Sequence, residues 1–406
     1  MIAPYQVSYG LREFWTALCG LARPFPDVGR DWIPAFRGAN VDAFPTCRGR
    51  EGQYALLRAL RLPPKARVGV PIFTHPVVWQ TIVAAGMEPV FLDTDPMTFG
   101  LNLADLRKKR DRLDCLILVH AFGYPADFDA VAAIMGDKPI LEDCAHALGS
   151  TYRGRPVGSL GDGSFFTFLF SKPLSAGGGG CAITRRPALG DDVARLLREG
   201  REQTFLHGLC HAMEKLLVSL AYRKPCYRLL TLLTYSGFYR RAASEVSYRV
   251  APSPRMRRTD WGVVASQLRK WNVDFEKKPE FWIDVRKRLP EGWHIPPEPT
   301  WGEWNHWLLP VCGPTQEATA DGIARLRSHG VGARLIYVYS PEGGRAYGYS
   351  GDCPEAERLS RSVFVLPAHS GLSSRERQHI VESIRLLNPI NSGGYRPQPK
   401  SVGELA

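Results

Sequence analysis

The chain has 406 residues, 44% of them hydrophobic, and a formal net charge of +12. A chain of this length is too long to form one small core, so two domains that share a cleft are expected. The nine cysteines include no CxxC pair, so neither a disulfide framework nor a metal site is predicted. The start has no secretory signal pattern, and no apolar run is long enough to span a membrane. These features predict a cytoplasmic protein.

Residues 1–40 form a predicted N-terminal arm, and residues 41–200 alternate helical and short apolar patterns. This alternation is typical of an α/β domain with a mostly parallel sheet. Buried strands are predicted at 68–72, 88–93, 115–120 and 139–143, with helices at 52–60, 77–86 and 127–135. Ligands of open α/β sheets gather at the carboxyl ends of strands, where the sequence places Asp93, His120 and Asp143.

Residues 201–250 interrupt this alternation with an apolar stripe of helical periodicity, which Pro225 should divide into two helices. Residues 201–258 hold eleven Lys or Arg against three Glu, so 11 − 3 = +8 of the charge lies there. Two interpretations stay open for this basic insert. It is a helical pair packed on the protein or across a dimer, or it is an interfacial hairpin at the inner membrane face, where an enzyme would meet a lipid-linked substrate. No nucleic-acid motif accompanies the charge, so no nucleic-acid partner is predicted.

Residues 251–388 interleave helices with strands and predict a smaller C-terminal α/β domain. A strand is expected at 363–367 and a helix from about Ser374 to Leu387, since Ser373 and Glu376 have the spacing of a capping box. Residues 389–406 have no apolar periodicity and are predicted to be a flexible tail.

Three residues of the large domain carry the predicted chemistry. Asp143 ends a buried strand, where a carboxylate is costly unless it faces a cation such as a protonated pyridinium nitrogen. Thr167 lies five residues before Lys172 in an aromatic run, and Lys172 precedes the glycines at 177–180. A phosphate anchor beside an imine-forming amine fits this arrangement.

These residues belong to an ordered series of motifs, which is more specific than any one of them. The series comprises Arg48-Gly49-Arg50-Glu51, Pro71 to Thr74, Gly86 to Asp93, Val119 to Asp127, Glu142 to Ala147, Gly154 to Asp162, Phe170 to Lys172, Arg255-Met256, Gln267-Leu268, Gly330 to Arg334 and Leu366-Pro367. Over roughly residues 40–200 and 250–388 the chain resembles the DegT/DnrJ/StrS sugar aminotransferases, which are fold type I enzymes that use pyridoxal 5'-phosphate (PLP).

The resemblance implies a role for each matching residue. Lys172 would hold PLP as a Schiff base and move the proton during the reaction, for which its amine must be neutral. Asp143 would pair with the pyridinium nitrogen and keep it protonated. His146 would contact the phenolic oxygen of PLP, and His75 would stack on its pyridine ring.

The phosphate of PLP would be held at a helix N-terminus. The resemblance places there the hydroxyls of Thr167 and Thr74 and the backbone amides of Gly49 and Arg50. Arg48 stands where the family pattern has a serine.

The rim of the site departs from the family pattern at Pro173, Gly178 and Ser253. Ser253 replaces the asparagine that family members lend to the partner subunit, and Arg334 and His120 complete the predicted substrate or partner positions, although His120 could simply orient a loop.

The resemblance implies a homodimer with its active site at the interface. It would move an amino group from glutamate or glutamine to a keto-sugar or other cyclic ketone, nucleotide- or lipid-linked, in surface polysaccharide or antibiotic biosynthesis. Two alternatives stay open: oxidative deamination on the same scaffold, and a non-catalytic membrane-associated or assembly homologue. Dehydratases of the family replace the lysine with histidine, so Lys172 argues against that branch.

Overall fold

The computed structural model describes residues 1–5, 7–22, 33, 36, 38–198, 204–222, 255–269, 279–369 and 371–387. Ser253, the second half of the basic insert with Pro225, and the tail from residue 389 therefore lie outside the described residues.

A seven-stranded sheet forms the centre of the large domain, in the order β1-β9-β8-β5-β4-β2-β3. The strands β3, β2, β4, β5 and β8 pair parallel, whereas β9 pairs antiparallel with both β8 and β1. Their bounds are β1 Asp42–Thr46, β2 Arg67–Pro71, β3 Glu88–Leu92, β4 Cys115–Val119, β5 Ile140–Asp143, β8 Gly163–Thr167 and β9 Gly180–Thr184. The predicted mostly parallel sheet is confirmed.

Helices separate the parallel strands along the chain, because a parallel connection must return across a face of the sheet. These are α3 Val77–Ala84, α4 Leu103–Lys109 and α5 Phe128–Met135, while α2 Gly49–Ala59 lies between β1 and β2 and α6 Pro187–Arg198 follows β9. With both faces covered, the central strand β4 is buried along its whole length, which explains its continuous apolar sequence. A small sheet forms around β6 Thr151–Tyr152, which pairs on one side with β7 Arg155–Pro156 and on the other with β10 Gly302–Glu303 from later in the chain.

The C-terminal part contains a three-stranded antiparallel sheet in the order β11-β13-β12. Its elements are α8 Arg258–Arg269, α9 Pro279–Arg288, β11 Leu309–Cys312, α10 Gln316–Ser328, β12 Arg334–Leu335, α11 Ser340–Arg345, α12 Pro354–Ser362, β13 Val363–Leu366 and α13 Ser374–Ser383. The capping box of α13 is present, since Ser373 Oγ accepts from the Glu376 amide and the Glu376 carboxylate accepts from the Ser373 amide. A 3₁₀ turn, Ile384–Leu387, completes the predicted last helix.

Polar contacts fix the C-terminal part against the carboxyl ends of the large sheet. Asp93, just after β3, accepts hydrogen bonds from the Glu355 and Ala356 amides and so caps α12. Ser340 Oγ donates to the Thr74 carbonyl at 2.6 Å. These bonds close a cleft over the strand ends, where the sequence places the chemistry.

The first residues of the chain cross from the C-terminal part to the large domain. Ile2 pairs with Val331, and its N–H donates to the Gly330 carbonyl at 2.7 Å. The Ser8 amide reaches Ser175 Oγ, in the loop that carries Lys172. Helix α1 (Leu11–Leu21) then packs on α8.

The first helix of the basic insert is confirmed as α7, Phe205–Ala221, which Thr204 caps by accepting from the His207 amide. Its buried face consists mainly of small residues and faces α1, with Gly208 lying directly against Leu21. Among the described helices, none is both long and apolar enough to cross a membrane.

Candidate active site

Lys172 lies in the turn that follows β8, and its amine points to the end of β5. Its Nζ lies 2.8 Å from Nε2 of His146, three residues after that strand ends. Burial lowers the pKa of Lys172 to about 8, although the nearby Asp143 carboxylate opposes this change. A sizeable fraction of the amine is therefore neutral at neutral pH, as a nucleophile or a base requires.

Asp143 is buried at the last position of β5, and its Oδ1 accepts a hydrogen bond from the Ala145 amide at 3.0 Å. Burial raises the pKa of Asp143, while this hydrogen bond and the charges of Lys172 and His120 act in the opposite direction. A buried carboxylate with a raised pKa stays ionised when a further cation faces it. The position therefore fits a pyridinium nitrogen.

His146 is buried between two aromatic rings. The Phe122 ring stacks with its centroid 6.4 Å from the imidazole, and the Trp307 ring lies 5.2 Å away. Burial lowers the pKa of His146 well below its usual value, and the neighbouring Lys172 and His75 act in the same direction. A neutral imidazole can therefore exchange a hydrogen bond with Lys172 or with a phenolic oxygen.

Asn305 fixes the backbone of this histidine. Its Nδ2 donates to the His146 carbonyl at 2.7 Å and to the Leu148 carbonyl at 3.0 Å. No motif in the sequence pointed to Asn305 or to Trp307.

His75 lies at the open side of the cleft, where its ring is accessible to solvent but bordered by protein and cations. Partial desolvation and the charges of Lys172, Arg334 and Arg50 lower the pKa of His75 to about 4. Its Nδ1 accepts from the Val77 amide at 3.2 Å, so the neutral ring carries its proton on Nε2. The structure thus brings His75 to the same cleft as Lys172.

The predicted phosphate end lies where the N-terminus of α2 meets the end of β8. Thr167 Oγ1 is buried there and has no hydrogen-bond partner among the residues that the structure describes. A Cβ on Gly49 would lie 2.9 Å from Thr167 Cβ, and one on Gly180 would lie 2.5 Å from the Gly49 nitrogen. Glycine at both positions thus permits the close approach of backbone and hydroxyl.

The N-terminus of α2 lacks an internal cap, because Arg48 makes no side-chain cap hydrogen bond. Thr74, the other predicted hydroxyl, is buried and held through its carbonyl by Ser340. A helix N-terminus beside an unsatisfied buried hydroxyl fits a phosphate group.

His120 belongs to a separate buried network. Its Nδ1 accepts from the Ala126 amide, and its Nε2 lies 3.1 Å from Glu142 Oε2. The Glu142 carboxylate also accepts from the amides of Gly158, Leu160 and Gly161, each at 2.8 Å. Cys144 lies near enough to complete a potential metal triad, but these hydrogen bonds already engage both oxygens of Glu142. The network orients two loops, in line with the simpler role considered for His120.

Arg334 stands at the start of β12 and extends an aromatic wall of the cleft. Its guanidinium lies 5.5 Å from the Tyr5 ring, which stacks on Trp307 at 6.0 Å. Tyr337 follows with a left-handed φ of 57°, and burial raises its pKa far above the usual value. Tyr5 and Tyr337 were not predicted from the sequence, because only the fold brings them to the site.

Gly178, where the family pattern has glutamate, packs against a carboxylate from another element. A Cβ at this position would lie 2.6 Å from both carboxylate oxygens of Asp260, which is buried on α8. Asp260 Oδ1 in turn lies 2.9 Å from His211 Nε2 on α7. The departure from the pattern therefore has a physical reason, since Asp260 occupies the space that a side chain at 178 would need.

Comparisons with known proteins agree with this architecture. The model of the DegT/DnrJ/EryC1/StrS aminotransferase family matches residues 35–385. The aminotransferase TlmJ from Streptoalloteichus hindustanus has the same fold, with a TM-score of 0.74, 22% sequence identity and coverage of 95% of this chain and 98% of that one. The fold is thus that of the PLP-dependent transferases.

Two sequence relatives differ in how much of the chain they match. The uncharacterized protein MJ1066 of Methanocaldococcus jannaschii is 23% identical over 93% of this chain and 92% of its own length. The UDP-N-acetyl-3-dehydro-alpha-D-glucosamine 3-aminotransferase of Acidithiobacillus ferrooxidans is 34% identical, over 39% of this chain and 44% of its own length. The similarity thus spans less than half of that aminotransferase. With the family model covering most of its length, the chain belongs to the DegT/DnrJ/EryC1/StrS aminotransferase family.

Proposed function

We propose that this protein is a PLP-dependent aminotransferase that moves an amino group from glutamate or glutamine to a keto-sugar. The observation that carries the proposal is the amine of Lys172, with a lowered pKa, 2.8 Å from a neutral His146 and close to the buried Asp143. Perturbed titratable groups that converge in one cleft are typical of catalytic sites.

The residues present fit PLP at both ends. Asp143 would hold the ring nitrogen, and Thr167 with the N-terminus of α2 would hold the phosphate, as the buried, unsatisfied Oγ1 supports. When bound, PLP supplies an electron sink for charge that develops on the substrate carbon.

The side chains of the chain itself supply proton transfer and orientation. Lys172 Nζ would take a proton from the substrate carbon and return it, because its lowered pKa lets one amine act as base and then as acid. His146 stays neutral and would orient that amine, while Asn305 and the rings of Phe122 and Trp307 hold the imidazole in place. His75 would cover the open face of the cofactor ring.

The substrate class rests on the family and on the named relative, whose acceptor is a UDP-linked sugar. We assign glycan or antibiotic biosynthesis as the setting and a homodimer as the working form, in which Ser253 would face the partner subunit. Arg334 would bind an anionic part of the donor or acceptor. We also assign the chain to the cytoplasm, because its eight described cysteines are all unpaired.

An absorption experiment tests the proposal. Purified protein mixed with PLP should gain the visible band of lysine-bound cofactor, and glutamate should deplete this band. Lys172→Ala should lack the band, whereas Lys108→Ala, at an exposed position of α4, should keep it. Oxygen uptake with no amino acceptor would instead favour oxidative deamination. A wild-type protein without the band would refute the enzyme proposal and favour a non-catalytic homologue.

A further inference from the structure

We propose that Asp260 is a positioning residue for Lys172: it holds the glycine segment, residues 177–180, and so fixes the turn from which the lysine projects. The inference rests on the proposed function, since it assigns to Lys172 the capture of PLP. It starts from the contact between the Asp260 carboxylate and the backbone of Gly178, where a Cβ would lie 2.6 Å from both carboxylate oxygens.

The glycine segment cannot fix its own course. Gly177 and Gly179 have left-handed φ values of 81° and 87°, which glycine adopts without strain, but four successive glycines carry no side chains that could pack. Glycine also loses more conformational freedom on folding than any other residue. Side chains outside the segment therefore decide how firmly it is held.

The glycine segment joins the two ends of the predicted cofactor site. The Gly179 amide donates to the Cys47 carbonyl at 3.1 Å, just before α2 begins. A Cβ on Gly177 would lie 2.5 Å from Cε1 of Phe170, which precedes Lys172 by two residues. A displacement of the glycine segment would therefore move the lysine turn relative to the phosphate end.

Two side chains hold the Asp260 carboxylate in this place. His211 Nε2 on α7 lies 2.9 Å from Oδ1, and Arg257 Nη1 lies 3.7 Å from Oδ2. Asp260 is only 3% exposed, so its carboxylate would be costly here without such partners. Lys215 Nζ, also on α7, lies 5.9 Å from the centre of the Phe170 ring. The first helix of the basic insert thus packs behind the loop that carries the lysine.

The test uses two readouts on the full-length protein. Hydrogen–deuterium exchange of the apo-protein measures the amides of residues 168–180, and stopped-flow absorption measures the capture of PLP. Asp260→Ala should speed exchange of the Gly179 amide and lower the plateau rate of capture by about 10- to 100-fold, because a displaced reacting group loses that much. The pH midpoint of capture should stay unchanged, since burial and Asp143 account for the pKa of Lys172.

Two further variants separate the contacts of the carboxylate. Asp260→Asn should keep most of the capture rate, because the amide has nearly the same volume and retains an acceptor oxygen for His211. His211→Ala should lower the rate less than Asp260→Ala does, since Arg257 still holds the carboxylate.

Asp192→Ala is the matched control. Asp192 is a half-buried carboxylate on α6 that pairs with Arg61, just beyond the end of α2 opposite the phosphate end, and with Arg195. This variant should capture PLP at the wild-type rate, and urea unfolding of every variant identifies a general loss of stability.

The inference is overturned if Asp260→Ala leaves either the exchange of residues 168–180 or the capture rate unchanged. It is also overturned if Asp192→Ala, compared at equal free energy of unfolding, slows capture as much. If the wild type itself captures no PLP, the proposed function fails, and exchange of the apo-protein alone still tests whether Asp260 holds the glycine segment.

Discussion

The lowered pKa of Lys172 determines how the apo-protein should capture PLP as pH changes. Only the neutral amine attacks the cofactor, and with a pKa of about 8 it is neutral in about a quarter of molecules at pH 7.5. An ordinary lysine with a pKa of 10.5 would be neutral in about one molecule in a thousand. At this pH the neutral fraction of the Lys172 amine is therefore about 200-fold larger than that of an ordinary lysine.

The capture rate should rise about 30-fold between pH 6.5 and 9 and then level off. Stopped-flow absorption of apo-protein mixed with PLP measures this rate, and the same series with a free lysine derivative corrects for titration of PLP itself. Asp143→Asn should move the midpoint to lower pH, since the Asp143 carboxylate raises the pKa of Lys172. A rate that keeps rising tenfold per pH unit through pH 10 would show that burial does not affect this amine as we infer.

Three further substitutions test separate contacts. Thr167→Val should weaken PLP binding about tenfold in equilibrium dialysis. It should not lower the free energy of unfolding of the apo-protein, because the buried Oγ1 has no hydrogen-bond partner to lose among the described residues. A destabilised apo-protein with unchanged PLP affinity would assign the hydroxyl a structural role. Asp93→Ala should lower the free energy of unfolding by about 1–2 kcal/mol in urea, since Asp93 caps α12, and Asp93→Asn should cost less because it keeps one acceptor oxygen. Gly178→Ala should cost about 2 kcal/mol of the free energy of unfolding through overlap with Asp260, and the Gly178→Ala/Asp260→Ala double variant should be more stable than additivity predicts. Strict additivity would contradict the direct contact.

Much of the large domain was predictable because its strands are buried on both faces. The sequences of such strands are short apolar runs, and β4 with its sequence Cys-Leu-Ile-Leu-Val is the clearest case. The predicted strand at 68–72 is found at 67–71, and the predicted helix at 77–86 ends at residue 84. Such boundary shifts arise because end residues gain or lose ladder hydrogen bonds that no pattern specifies.

The candidate site was predictable only where its residues lie in local motifs. Lys172, Asp143 and Thr167 come from neighbouring strand ends, and the structure brings them together as the motif series implied. Tyr5 and Trp307 could not be predicted, because they reach the cleft through contacts between distant parts of the chain. The roles of the individual residues toward PLP stay predictions.

The first residues of the chain have a practical consequence for anyone who modifies this protein. The backbone of Ile2 forms hydrogen bonds with Gly330 and Gly332, and the Tyr5 ring stacks on Trp307. The Ser8 amide donates a hydrogen bond to Ser175 in the loop of Lys172. An affinity tag fused directly to Met1, or proteolysis before α1, would disturb one wall of the cleft. Under the proposed function, we expect a preparation altered there to lose substrate affinity while its cofactor spectrum stays normal, so that an assay would suggest that the wrong substrate had been chosen.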